Sequence, residues 1–222
     1  MKRLSKDNPK VALMSRKRFA IVRAAQAAFL EGGYAKTPMD KIAKAADVGI
    51  KTLYRHFDNK DDLFSAVMQA ACNPEAFNEL SGEWDQGEES SERPWFSKAP
   101  RSALPAAGVE YLKHILSKEQ LALYRVVIQD AHKFPELGRR YQEQVIDHTH
   151  DEFVRYLKRW TPLEKWQVKN KLDAAATFSA LLRAGIYEDA LFHLRIFSDS
   201  EIESHAHTAA TKMLTLLSSR RF

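Results

Sequence analysis

Hydrogen-bond donors are crowded into six consecutive residues of the sequence, at Lys51, Thr52, Tyr54, Arg55 and His56. Leu53 lies among them and Phe57 follows, four residues later. On a helix this spacing puts both apolar side chains on one face and leaves the donors on the other. Such a surface can donate to phosphate oxygens and to base edges in the major groove of DNA.

Shorter patterns around this stretch predict the elements that hold it. Thr37 is a suitable N-cap and Pro38 a suitable first residue for a helix over about 38–46. A tight turn at 47–49 leads into the donor-rich helix, over about 50–57. An earlier amphipathic helix spans about 15–31. Two short helices joined by a tight turn, inside a three-helix unit, predict a helix-turn-helix with its motif at 38–57.

The charge of the chain is unevenly distributed. The formal net charge is +5, but residues 1–60 carry 14 Lys and Arg against 5 Asp and Glu, a net charge of +9. Residues 61–222 carry 20 against 24, a net charge of −4. A basic first quarter on an acidic body favours a polyanion-binding head. Arg16, Lys17 and Arg18 either extend its footprint or form a solvated basic segment.

The run from Gly33 to Phe57 resembles the N-terminal domain of the tetracycline-repressor (TetR) family. Phe29 and the segment 59–64, Asn-Lys-Asp-Asp-Leu-Phe, continue the likeness, which covers about residues 15–70. Residues 124–137, ending in Phe-Pro-Glu-Leu, are similar to the C-terminal domains of one subset of the family. The turn departs from the usual Gly-Val-Ser, because this chain has Asp47-Val48-Gly49.

This resemblance implies an all-α homodimer that binds a palindromic operator, usually represses transcription and is released by a small ligand. It implies contacts to the DNA backbone from Thr37, Tyr54 and Lys60. It places four side chains nearest the base edges: Lys51, Thr52, Arg55 and His56. The alternatives are an architectural DNA binder that responds to no ligand, and a helical interaction protein that has lost DNA binding.

Beyond residue 72 the periodicity predicts further helices, at about 106–116, 118–133, 135–160, 165–195 and 200–219. The last begins with a predicted capping box of Ser200 and Glu203. Prolines and acidic residues in 73–105 predict a long, partly mobile connection onto which Trp84, Trp95 and Phe96 could dock. The fold class is therefore all-α, and no strand pattern is found.

Aromatic and polar side chains in the body are candidates for an effector pocket. They are Tyr111, His114, Tyr124, Arg125, Phe178 and Arg183. Ordinary core packing is the alternative for each. Residues 172–194 and the last helix are apolar over a wide arc, which predicts burial on two sides and a four-helix dimer interface. The alternative is a monomer whose own core takes up these faces.

No other chemistry is expected. His148, His150 and Glu152 share a helix, but the two histidines point apart and no cysteine supports a zinc site, so neither metal nor cofactor is predicted. His205 and His207 have the same spacing. The sequence carries no phosphate-binding glycine loop, nucleophile elbow or zinc-protease motif, so an enzyme is not expected.

The predicted organisation is a basic tail at 1–14, a DNA-binding domain at 15–60, a connecting helix at 61–72 and an effector-binding and dimerisation domain at 73–222. Cys72, the one cysteine, cannot form an internal disulfide, which favours a reducing compartment. With no apolar leader and no span of about 18 apolar residues, the expected location is the cytoplasm and no membrane partner is expected.

Overall fold

The computed structural model describes residues 9–72 and 93–219, and within them every regular element is helical. This confirms the predicted all-α fold. Within these residues no helix is long and apolar enough to cross a membrane. The helices are α1 (Pro9–Gly32), α2 (Met39–Ala45), α3 (Ile50–His56), α4 (Lys60–Cys72), α5 (Pro100–Ile115), α6 (Lys118–Asp130), α7 (Pro135–Tyr141), a π-helix (Gln142–Asp147), α8 (His148–Leu163), α9 (Lys171–Arg183), α10 (Tyr187–Leu191) and α11 (Asp199–Ser218).

Two compact units divide the chain. The first takes residues up to 87 together with 122–145, and the second takes 88–121 together with 146–222. Residues 122–145, which the sequence prediction gave to the second domain, thus group by contact with the helix-turn-helix. The functional assignment of the domains stays a prediction.

The first unit is built around α1 and α4. Ile21 and Phe29 of α1 are fully buried, as are Leu63 and Phe64 of α4. The rings of Phe29 and Phe64 meet edge to face, with centroids 5.3 Å apart. The same core also includes four buried side chains of α6 and α7: Leu123, Val126, Val127 and Leu137. Residues far apart in sequence therefore complete one hydrophobic core.

The second unit packs α5 against α11 and α9, and α9 against α8. Gly108 of α5 lies at a close approach between these helices. A Cβ atom there would lie 2.9 Å from Leu182 Cδ2 and 3.2 Å from Ala206 Cβ. Glycine at this position therefore lets three helices meet.

Residues 93–99 dock onto the second unit's core. Trp95 is buried, and its indole N–H donates to Glu110 over 2.9 Å. Phe96 packs edge to face on Tyr156, with ring centroids 5.8 Å apart. The predicted docking of these two aromatics is therefore found, whereas Trp84 lies outside the described residues. The predicted start of the next helix, near residue 106, is wrong because α5 already begins at Pro100. The mobility of the connection stays a prediction.

Several predicted helix boundaries are wrong. α1 begins at Pro9, so residues 9–14 are helical rather than part of a tail. The helix predicted over 135–160 is interrupted by the π-helical residues 142–147. The helix predicted over 165–195 is two helices, separated at Gly185, whose φ of +77° ends α9 in a left-handed conformation.

The capping box of α11 lies two residues earlier than predicted. Ser198, not Ser200, is the N-cap: its side chain accepts from the Glu201 amide. The Glu201 carboxylate in turn accepts from the Ser198 amide over 2.9 Å. Ser-x-x-Glu occurs at both 198–201 and 200–203, and the sequence pattern does not distinguish the two registers.

Candidate nucleic-acid interface

Buried apolar side chains hold the donor-rich helix α3 against the core of the first unit. Leu53 is fully buried and Phe57 is 3% exposed, and both belong to the core that holds Ile42 and Ala43 of α2. The turn between α2 and α3 is closed by the Val48 amide, which donates to the Ala43 carbonyl over 3.0 Å. The predicted helix-turn-helix is therefore present, and the same apolar residues that indicated it in the sequence hold it in place.

The outer face of α3 carries the predicted base-reading side chains. Lys51, Tyr54 and Arg55 are exposed, and Thr52 is partly exposed. Tyr54 exposes about half its surface, at 49%. These four side chains lie on the side of α3 away from Leu53, where a nucleic acid could reach them.

His56 is less available than the sequence prediction assumed. Its Nε2 is buried and has no hydrogen-bond partner within the described part of the chain. Burial and the nearby charges of Arg18, Arg55 and Lys17 lower the pKa of His56, which favours the neutral ring. A base contact through Nε2 would require the side chain to rotate.

Thr37 does not cap α2, and this prediction is wrong. The N-cap is Pro38, and no side chain caps that end. The Thr37 hydroxyl instead donates to two carbonyl oxygens, at Gly33 over 2.8 Å and at Ala28 over 3.1 Å. With its side chain 1% exposed, Thr37 fastens the turn between α1 and α2 rather than facing a phosphate.

Lys60 is tied to the same turn. Its ammonium lies 4.3 Å from the centroid of the Tyr34 ring and donates to the Ala35 carbonyl over 3.4 Å. Burial lowers the pKa of Lys60, with Asp130 and Asp61 opposing that shift. The group still has N–H donors to offer a phosphate, but the phosphate must compete with these contacts.

Three long-range contacts that sequence reasoning missed complete this region. Asp130, from the end of α6, is 4% exposed and accepts from the Ala35 amide over 2.9 Å. The Tyr34 hydroxyl donates to the Asp61 carboxylate. Arg18 donates to the carbonyl of His56. Since their partners lie 95, 27 and 38 residues away, local spacing carries no signal for them.

The candidate effector residues fall into separate groups. Tyr124 and Arg125 belong to the first unit, where the rings of Tyr124 and Tyr141 lie 5.3 Å apart. In the second unit, the Arg183 guanidinium lies 4.0 Å over the Tyr187 ring and close enough to Tyr111 to counter the rise that burial causes in the phenol's pKa.

The other two candidates of the second unit lie elsewhere. Phe178 packs on Phe153 with ring centroids 4.9 Å apart. Burial and the nearby charge of Arg93 lower the pKa of His114, and Glu152 opposes that shift. The effector role of all these residues stays a prediction.

Two of the histidines considered as metal ligands, His150 and His205, have other partners. His150 Nε2 lies 2.9 Å from the Ser179 hydroxyl, and His205 Nε2 lies 2.9 Å from the Leu182 carbonyl. Glu152 pairs with Arg93. Among residues 9–72 and 93–219, no group of three metal-binding side chains comes together.

Comparison with known proteins agrees with this architecture. Residues 21–67 match the bacterial regulatory proteins of the tetR family, and residues 102–216 match the C-terminal domain of AefR-like transcriptional repressors. The HTH-type transcriptional regulator YhgD of Bacillus subtilis (strain 168) is 45% identical over 47 residues, which is 21% of this chain and 25% of that protein. The match thus spans about a quarter of that relative.

Two solved structures share the fold over most of the chain. A TetR-family regulator of Mesorhizobium loti MAFF303099 is 24% identical with a TM-score of 0.73, covering 91% of this chain and 97% of its own. The flavonoid-responsive regulator FrrA is 25% identical with a TM-score of 0.71, covering 92% and 98%. The matched C-terminal region alone exceeds half of the sequence. The chain therefore belongs to the TetR family of transcriptional regulators, as the helix-turn-helix residues predicted.

Proposed function

We propose that this regulator is a repressor that binds a palindromic DNA operator as a homodimer and leaves it when a small molecule binds. The observation that carries the proposal is the outer face of α3, where Lys51, Tyr54 and Arg55 are exposed above the buried anchors Leu53 and Phe57. Lys and Arg donate to guanine in the major groove, and phosphate contacts supply affinity that salt weakens.

Selection from a pool of random DNA duplexes tests this function. We expect the purified chain to enrich an inverted repeat whose half-sites lie about one helical turn apart. Its affinity for that site should exceed its affinity for unrelated DNA at the same salt concentration. An architectural protein would enrich no sequence, and a chain that has lost DNA binding would retain no duplex even at low salt.

The proposed dimer is supported by an apolar stripe on α9. Leu172 is 55% exposed, and Ala176 and Ala180 follow it at four-residue spacing with their side chains also exposed. The opposite face of α9 is buried in the chain's own core through Ala175 and Phe178. The intramolecular core thus takes up only part of the apolar arc, and a second subunit would cover the rest.

Light scattering after gel filtration tests this dimer. Ala176→Arg puts a long charged side chain into the stripe and should convert a dimer into a monomer. Lys158→Glu on the exposed face of α8 is the matched control, because it changes charge away from the stripe. A wild-type monomer at micromolar concentration would contradict the proposal.

For the effector we propose a planar aromatic molecule. The second unit's core is rich in aromatic rings, with Trp95, Phe96 and Phe153 each in contact with Tyr156. FrrA, the 25% identical relative, is flavonoid-responsive. The ligand would act only through a higher affinity for the DNA-free state than for the DNA-bound state. To test this, flavonoids are titrated into the protein while tryptophan fluorescence reports binding, and operator affinity is measured in parallel. A flavonoid that binds without releasing the DNA would contradict the proposal.

A further inference from the structure

Arg18 of α1 reaches the C-terminal end of α3, the recognition helix of the helix-turn-helix. Its Nη1 donates to the His56 carbonyl over 3.1 Å, 38 residues away in sequence. The guanidinium carbon lies 4.3 Å from the centroid of the Phe57 ring. Both contacts are with the last residue of α3 and the residue that follows it.

The recognition helix has few stabilising interactions within itself. It is seven residues long, and its N-cap, Gly49, makes no side-chain cap. At the other end the Phe57 amide donates to Leu53, which leaves the later carbonyls without a donor from the helix itself. An isolated helix this short is unstable in water. Its geometry must therefore be imposed by other parts of the unit.

Arg18 supplies what this end lacks. A cation is favourable at a helix C-terminus, where the peptide dipoles leave negative charge. A charged donor also makes a stronger hydrogen bond than a neutral one. The planar guanidinium covers the Phe57 ring at the same time, which an ammonium group cannot match.

We propose that Arg18 is a positioning residue for DNA recognition. It holds α3 at the angle at which Lys51 and Arg55 meet the base edges, and it does not itself neutralise a phosphate. The proposal rests on the DNA-binding function proposed above. Arg16, exposed on the same helix, offers a matched charge for comparison.

Binding across a range of salt concentrations separates positioning from phosphate contact. The variants are Arg18→Lys, Arg18→Gln and, as control, Arg16→Gln, each measured on the selected operator and on an unrelated duplex. We expect both Arg18 variants to lose operator affinity about tenfold or more. Arg18→Lys should keep the wild-type affinity for unrelated DNA and the wild-type salt slope, because its charge is unchanged.

The opposite pattern would overturn the proposal. If Arg18 binds a phosphate, Arg18→Lys should bind the operator nearly as the wild type does. Arg18→Gln should then lower the slope of log affinity against log salt by about 0.9, the value for one lost phosphate contact. Thermal unfolding of each variant checks that the chain remains folded.

Hydrogen exchange without DNA provides an independent readout. Amides of residues 53–57 should exchange faster in both Arg18 variants than in the wild type and in Arg16→Gln. Unchanged exchange would refute the positioning role. If the wild type selects no DNA sequence, the proposed function fails, but exchange at 53–57 still decides whether Arg18 holds the helix.

Discussion

At the scale of single residues, the sequence shows which side chains can donate hydrogen bonds to DNA, and the structure shows which of them are exposed. Lys51 and Arg55 are exposed, whereas Thr37 is buried and Lys60 lies over the Tyr34 ring. Helical spacing could predict the first pair, because it depends only on the register of Leu53 and Phe57. It could not predict the second pair, because their partners come from another helix or turn.

Arg55→Ala should weaken operator binding selectively. An arginine that reads a base contributes about 1–3 kcal/mol to discrimination, so the variant should lose that affinity and accept more bases at one position of the site. Competition binding against operators with single substitutions measures this. Lys158→Ala on α8 is the control, and an unchanged base preference in Arg55→Ala would remove that residue from the readout.

Asp130→Ala should destabilise the first unit by about 1–3 kcal/mol, because it removes a buried charged acceptor from the Ala35 amide. The midpoint of urea unfolding measures the loss. Asp151→Ala, at an exposed carboxylate on α8, serves as the comparison. Equal midpoints for the two variants would show that the bond to Ala35 contributes nothing net.

At the scale of elements, prediction worked where the ends of helices are marked locally. α2, α3 and α4 fall within a residue of the predicted bounds, because a proline, a turn and a short polar break mark their ends. It failed over 100–105, where Pro100 begins a helix although the prolines had suggested a loop. It also failed where two overlapping Ser-x-x-Glu motifs compete to begin α11.

Two glycines in helices should respond oppositely to alanine. Gly108→Ala should destabilise the second unit by about 1–3 kcal/mol, since the new methyl group overpacks against Leu182 and Ala206. Gly138→Ala in α7 has its nearest neighbour, Ala131 Cβ, at 3.7 Å, and should stabilise by up to about 1 kcal/mol. Thermal unfolding of both variants measures the difference. A stabilising Gly108→Ala would mean that the helices separate at little cost.

At the scale of the whole molecule, three histidines make stability depend on pH. Burial lowers the pKa of His56, His114 and His150 below the ordinary value of 6.5. The unfolded chain therefore binds more protons than the folded chain at these histidines, and the free energy of unfolding falls as pH decreases below about 6.5. The unfolding temperature should be lower at pH 5.5 than at pH 7.5.

Replacing these three histidines by glutamine should flatten that dependence. The same change at three exposed histidines, His132, His148 and His207, is the matched control and should leave it in place. If both triple variants show the wild-type pH dependence, other groups cause it.

The core of the first unit has a consequence for how the chain is made. α1 to α4 end at residue 72, but Leu123, Val126, Val127 and Leu137 belong to the same core. A ribosome builds the chain from the N-terminus, so the recognition helix emerges well before the side chains that complete its support. Prematurely terminated chains would therefore expose apolar surface where α6 and α7 belong. They would be substrates for chaperones and proteases before they could compete for the operator.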